Sequence, residues 1–483
     1  MVENKTTIVR RHVLSLLEEG ALKTGEQVPS ARELSVKLGI SFLKVQQAIE
    51  TLCQDGVMEA YSRKGTYVQR GWEERVLPEN LAVFNHLHRL PWVDGMLKVM
   101  EKEFAGLRMT YAFKRGMLEL RTTRHVLTGH DEYMDLTELF EECYPDRSIF
   151  FEKPFRPFHI NGRIVGIPYS FSPRVVLYNP KQFRSAGCAM PQSGWTWEEF
   201  LECIARLKKV LPAKYILNWH CQSYAWLNIL LRAGGRLFTP NQEDPVTVDS
   251  PRSILGLSLF NELGNLLERP EYDEDDFHGA FLQGSAGMLI VGRQFLDSID
   301  RAGFKDWASV PLPHIPGGED ITAQATDLVC VRKSCTSMSL ARKYISVMLS
   351  EPVQDYLAQR RYSIPIRKSS AFKSLDLTDP RDALFAAEMG KASIDFNIAP
   401  PFPGELVLQG IERILTENLD LDSGLRELGQ MARTYMGIYG HYSASRKSAI
   451  RTVFAGNPGN LYCADVHCSH RTDPHSPRTA SAE

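Results

Sequence analysis

Between Val28 and Leu52 the apolar residues fall into two short helical registers separated by a break. Leu34 and Leu38 share one face of the first, and Val45, Ala48, Ile49 and Leu52 recur at the i, i+3, i+4, i+7 spacing of the second. Ser30 and Glu33 stand at the spacing of a capping box, so the first helix should start at Ala31. Gly39 supplies the helix stop and turn, and Ser41 can cap a second helix from about Phe42. With its apolar stripe buried, that helix keeps Lys44, Gln46, Gln47 and Glu50 on other faces, where a partner can meet them. Upstream, Ile8, Val9, Val13, Leu16 and Leu17 form a further amphipathic stripe that completes a three-helix core. Downstream, two strand-like runs within 57–68 flank Ser62-Arg63-Lys64-Gly65, a hairpin with a basic tip.

This order describes a winged helix-turn-helix, mostly α with a β wing, over residues 1–70. It resembles the DNA-binding domain of the GntR family of bacterial regulators through Pro29, Ser30, Arg32, Leu34, Leu38, Gly39, Ser41, Val45, Ala48, Leu52, Gly56 and Gly65-Thr66-Tyr67-Val68. The resemblance implies binding to double-stranded operator DNA through Arg32, Ser41, Lys44, Gln46, Gln47, Lys64 and Gly65. Where the family usually has an arginine after the turn serine and another one turn on, this chain has Phe42 and Gln46. Ten Lys or Arg against eight Asp or Glu in 1–70 suit a few placed phosphate contacts better than a broad basic field. One copy reads few base pairs, so a homodimer on a two-fold site is expected.

Residues 71–80, with Gly71 and Pro78, have no periodicity and read as a linker. From Leu81 the pattern changes to strand (81–87), helix (92–104) and strand (108–113), the rhythm of an α/β domain. Residues 161–187, with Pro168-Tyr169, Tyr178-Asn179 and Ala186-Gly187, resemble the crossing region of the sugar-type extracellular solute-binding proteins of ABC transporters. The resemblance continues through Thr196-Trp197-Glu198-Glu199-Phe200, residues 227–238, 281–291, 310–318 and 340–349, and Ile364-Pro365-Ile366-Arg367.

That likeness implies a two-lobed α/β periplasmic-binding-protein-like domain over 81–442, whose lobes close on a small-molecule effector, a mono- or oligosaccharide. It places Tyr169, Phe171, Trp219, Tyr224, Trp226, Arg293, Phe295 and Asp327 on ligand-contacting loops, although aromatic residues serve a core equally well. Trp197 and Phe200 are assigned to packing. About 20 residues separate the strand ending near Lys114 from Asp135, fewer than in relatives, so a trimmed first lobe is expected.

At 483 residues, 43% hydrophobic and 24% charged, the chain is long enough for two or three globular domains. A net charge of −2 gives no global attraction to nucleic acid, and nine cysteines without a framework spacing fit a reducing compartment. The polar start and the lack of an 18-residue apolar run predict a cytoplasmic protein that does not meet a membrane. No phosphate loop, HExxH, CxxC pair or nucleophile elbow occurs, so neither an enzyme nor a cofactor site is expected. The acidic run 273–276 reads as a solvated loop. Residues 443–483 read as a disordered tail, where Cys463, His467, Cys468 and His470 lack the spacing of a closed zinc site, so no metal is expected. The combined expectation is a sequence-specific transcriptional regulator governed by a sugar-sensing domain. A transport-type receptor, or a DNA-binding protein whose second domain only dimerises, are the alternatives.

Overall fold

A computed structural model describes residues 5–18, 21–72, 80–83, 91–103, 108–110, 118–239, 244–333, 335, 338–393 and 401–442. The tail with its Cys and His residues, and most of the linker, lie outside them.

Helices α1 (Lys5–Glu18), α2 (Ala31–Leu38) and α3 (Phe42–Gln54) precede a hairpin of β1 (Met58–Tyr61) and β2 (Gly65–Val68). Both halves of the Ser30/Glu33 capping box are made: Ser30 Oγ accepts from Glu33 N–H, and Glu33 accepts from Ser30 N–H at 2.7 Å. The same bonds hold the exposed Glu33 carboxyl below the usual carboxylate range. Gly39 ends α2 in the left-handed region at φ 63°. Ser41 stands at the N-cap of α3 but makes no capping bond with its side chain. Val9, Val13, Leu17, Leu34, Val45, Ala48, Leu52, Val57 and Val68 close one core, with Ile8, Leu16, Leu38 and Ile49 half-buried against it. Each predicted apolar stripe therefore faces inward, and burial of such side chains at about 25 cal/mol per Å2 is what holds three short helices together.

The second domain is built on a mixed sheet. Parallel pairs join β3 (Asn80–Val83) to β4 (Arg108–Thr110) and to β5 (Leu118–Thr122). The expected strands over 81–87 and 108–113 are thus shorter, their remaining residues lying outside those described. After the small hairpin β6 (His159–Ile160) and β7 (Arg163–Ile164) comes β8 (Ile167–Tyr178), followed by β9 (Met288–Gly292), β10 (Ala308–Val310) and β11 (Thr322–Val331). The order is β10-β8-β11-β5-β3-β4, with β12 (Ile364–Pro365) on β8, β13 (Ala392–Ser393) on β11 and β9 on β8.

Strand β8 explains the division into two lobes. Its first half, Ile167 to Pro173, pairs with β11 in the first lobe, while Arg174 to Tyr178 pair with β9 in the second. The near-continuous burial of β8, its serines included, suits a strand covered on both faces. The interval expected to be trimmed contains β5, which joins β3 to β11, and the helix Thr123–Gly129. Trp197 and Phe200 are buried at a helix opened by a second capping box, Thr196 with Glu199.

One expectation is corrected. Residues 273–276 are not a loop: Asp273 caps the helix Glu274–Leu282, accepting from Asp276 N–H at 2.8 Å, and the other acids occupy its first turn. Negative charge is favourable at that end of a helix because the peptide dipoles leave it partly positive.

Candidate functional site

Two surfaces qualify, one on each domain. On α3, Val45, Ala48 and Leu52 point into the core, which turns Leu43, Gln46, Gln47 and Glu50 to the opposite side. Arg32, Ser41, Lys44, Gln46 and Gln47 are all exposed. They are loosely tied to one another: Lys44 Nζ donates to Gln47 Oε1 at 3.0 Å and Gln46 Nε2 to Glu50 Oε1 at 3.2 Å. Such exposed bonds exchange readily for bonds to water or to a partner. Leu43 and Phe42, 63% and 48% exposed, add an apolar element that the sequence reading had not used.

The wing is held in place by its backbone. Lys64 C=O accepts from Gln27 Nε2 at 3.2 Å and from Tyr67 Oη at 3.1 Å, leaving the Lys64 side chain exposed. Gly65 has φ 105°, a backbone conformation that favours glycine, and a Cβ there would also displace the Gln27 side-chain amide.

In the second domain, the structure places six of the eight expected ligand residues in cores. Trp219 stacks on Phe260 at 5.5 Å and donates Nε1–H to Phe260 C=O. Gly264 leaves room for its ring. Trp226 is fully buried, donating to Cys221 C=O, and Phe295 packs against His278 and Phe281. Phe171 is buried against Phe151, and Tyr169 is fully buried. Arg293 is 0% exposed and paired with Asp382 at 2.7 Å, its other donors satisfied by Ser363 C=O and Ser374. Burial by itself would raise the Asp382 pKa, but the bonds and charge of Arg293 prevail and hold it low. These side chains stabilise the lobes.

Asp327 and Tyr224 are half-buried. Asp327 lies where β11 bulges against β8 and accepts from Ser170 Oγ at 2.8 Å. Tyr224 belongs to a group missed in the sequence. Its ring lies 4.3 Å from His220, which stacks on Tyr272 at 4.6 Å, and the Arg174 guanidinium stands 5.7 Å above Tyr224. Arg174 is the first residue of β8 to pair in the second lobe, directly at the crossing. His220 and Tyr224 flank the start of the helix Ser223–Arg232, and Tyr272 precedes the helix Glu274–Leu282.

The lobes are also strapped together beside this group. Glu412, on the helix Pro401–Thr416, accepts from Arg124 of the first lobe at 2.8 Å and from the Ser223 backbone N–H of the second at 3.0 Å. Arg124 also pairs with Glu405.

Among the described residues no helix is long and apolar enough to cross a membrane, and no three potential ligands gather as a metal site.

Residues 5–68 match the family of bacterial regulatory proteins called gntR, and residues 133–355 match the bacterial extracellular solute-binding protein family. The first part is similar to the probable fructoselysine utilization operon transcriptional repressor of Escherichia coli K12, at 33% identity over 69 residues, 14% of this chain and 28% of that one. The second is similar to an uncharacterized lipoprotein in the oleD 5' region of Streptomyces antibioticus, at 27% identity over 169 residues, 32% of this chain and 37% of that one. This chain therefore spans well under half the length of either relative. In structure, an ABC transporter solute-binding protein from Thermotoga lettingae, bound with α-D-tagatose, superposes with a TM-score of 0.63. That match has 16% identity and covers 74% of this chain and 98% of the other, so it establishes the fold.

Proposed function

We propose that this chain, a GntR-family DNA-binding domain joined to a domain of the solute-binding type, is a cytoplasmic, homodimeric transcriptional regulator whose operator affinity is set by a carbohydrate held between the two lobes. The feature that supports the reading is the presence, on one chain, of a gntR-type winged helix with an exposed polar face on α3 and a solute-binding-type domain whose crossing strand brings Arg174 beside His220, Tyr224 and Tyr272. Tyr224 and Tyr272 offer ring faces to the C–H surface of a sugar, and Asp327 a carboxylate to its hydroxyls. Arg32 and Lys64 meet phosphates, while Gln46 and Gln47 read base edges; glutamine bonds adenine bidentately, worth about 1–3 kcal/mol of discrimination.

Closure of the lobes is the means of control. If closure changes the spacing of two winged helices that the operator holds about 34–36 Å apart, a shift of a few ångströms weakens binding. Linkage makes the coupling reciprocal, typically about 5- to 150-fold each way. Saturating operator should then change the affinity of the full chain for its saccharide by the same factor as the saccharide changes operator affinity. Equal saccharide affinity with and without operator would remove the mechanism, and failure to enrich any salt-sensitive duplex from a random pool would remove the DNA-binding half.

A further inference from the structure

The cleft group is unusual in its hydrogen-bonding balance. His220 is 7% exposed, and burial, with the Arg174 charge second and His278 third, pushes its pKa down to about 3, so the ring is neutral at physiological pH. Its Nδ1 accepts from Gln222 N–H at 3.2 Å, which leaves the proton on Nε2. That Nε2–H is buried with no acceptor among the described residues. Beside it, the half-buried Arg174 guanidinium has no carboxylate within ion-pair distance among the described residues. Its surroundings are the Tyr224 ring and the more distant Glu274 and Tyr272, and burial lowers its pKa. Glu274 stands nearer His278, 3.9 Å from its Nδ1. Both Arg174 and His220 thus carry donors with no acceptor among the described residues at the crossing of β8, and a buried donor or charge without a partner is costly.

A neutral hydroxyl satisfies such a site poorly, because it brings a proton that itself needs an acceptor. A phosphate or carboxylate brings only acceptors, together with the charge that Arg174 lacks. We infer that the effector is an acidic saccharide, a sugar phosphate or a sugar acid, whose anionic group docks against Arg174 and His220 Nε2–H at the crossing of β8 while its ring lies along Tyr224 and Tyr272. This rests on the reading of the cleft as the effector site and adds the charge of the ligand.

The test titrates the full chain by calorimetry with matched probes: hexoses, their 6-phosphates, the corresponding hexuronates, and inorganic phosphate. At least one phosphorylated or carboxylated sugar should bind about tenfold or more tighter than its neutral parent. Arg174→Gln should abolish that preference, and His220→Phe should reduce it. Arg174→Lys, which keeps the charge, should retain part of it and guards against loss through misfolding. Preference for a 6-phosphate or for a uronate identifies which acid is used, and binding of inorganic phosphate lost in Arg174→Gln supports the anion site by itself. If neutral saccharides bind as tightly as acidic ones and Arg174→Gln leaves them unchanged, the inference fails while the carbohydrate reading stands. If no probe binds, both fail.

Discussion

The exposed face of α3 and the proposed effector site at the crossing of β8 differ in how legible each is from the sequence. On α3 the core takes Val45, Ala48 and Leu52 with Ile49 half-buried beside them, and the face that carries Lys44, Gln46, Gln47 and Glu50 is left to solvent. In the cleft domain an aromatic residue can face either a ligand or the interior of a lobe, and both environments favour the same side chains. Six expected ligand residues, from Tyr169 to Phe295, turn out to be buried. The group at the crossing contains Arg174, His220 and Tyr272, which no aromatic motif had marked.

The comparison breaks first at the buried residues, where the effects are largest. Trp226→Ala should cost about 3–5 kcal/mol of stability by emptying a fully buried site. Urea unfolding of the full chain would show it, whereas Tyr224→Ala should leave the midpoint nearly unchanged and strike ligand affinity instead. The reverse pattern would restore Trp226 as a ligand platform.

Arg293→Met should be of similar size, about 3–5 kcal/mol, because it leaves Asp382 in the interior without its main partner, with Arg361 3.3 Å away as the nearest remaining cation among the described residues. The pH dependence has a definite sign. Since the folded Asp382 pKa is lowered, its contribution is present above the ordinary carboxylate range and disappears as pH falls through the lowered value. Wild type should therefore lose more stability on acidification than Arg293→Met does, and parallel stability curves would show that the pair contributes nothing specific.

On the other domain the expected effects concern recognition. Gln47→Ala should relax preference at one operator base pair by about 1–3 kcal/mol, read by competition among single-base operator variants, with no loss of thermal stability. Arg32→Ala should weaken all those variants together and lower the salt dependence, as a phosphate contact does. A uniform loss in Gln47→Ala would demote it from reader to surface residue.

The smallest effect is at the cap. Ser30→Ala removes the acceptor of the Glu33 N–H and should lower winged-helix stability by about 1 kcal/mol, measurable as faster amide exchange in α2. An unchanged α2 would mean that packing of Leu34 suffices to set the helix start.

Features that depend on neighbours along the chain are written into the amino-acid order. The capping box at Ser30 and Glu33, the left-handed stop at Gly39, the inward stripe Val45, Ala48, Leu52 and the wing glycine at Gly65 are all local geometry, and the structure realises them. The α/β class of the second domain was legible for the same reason. Which polar groups meet across long separations follows from the folded arrangement. Arg293 finds Asp382 89 residues away, which turns an expected ligand contact into a buried strut. Arg174 is brought to a histidine and two tyrosines drawn from separate helices and loops, with Glu274 nearby but no carboxylate within ion-pair distance among the described residues. Ion pairing is a property of position in space, and spacing along a chain carries no record of a carboxylate that arrives, or fails to arrive, from elsewhere in the fold.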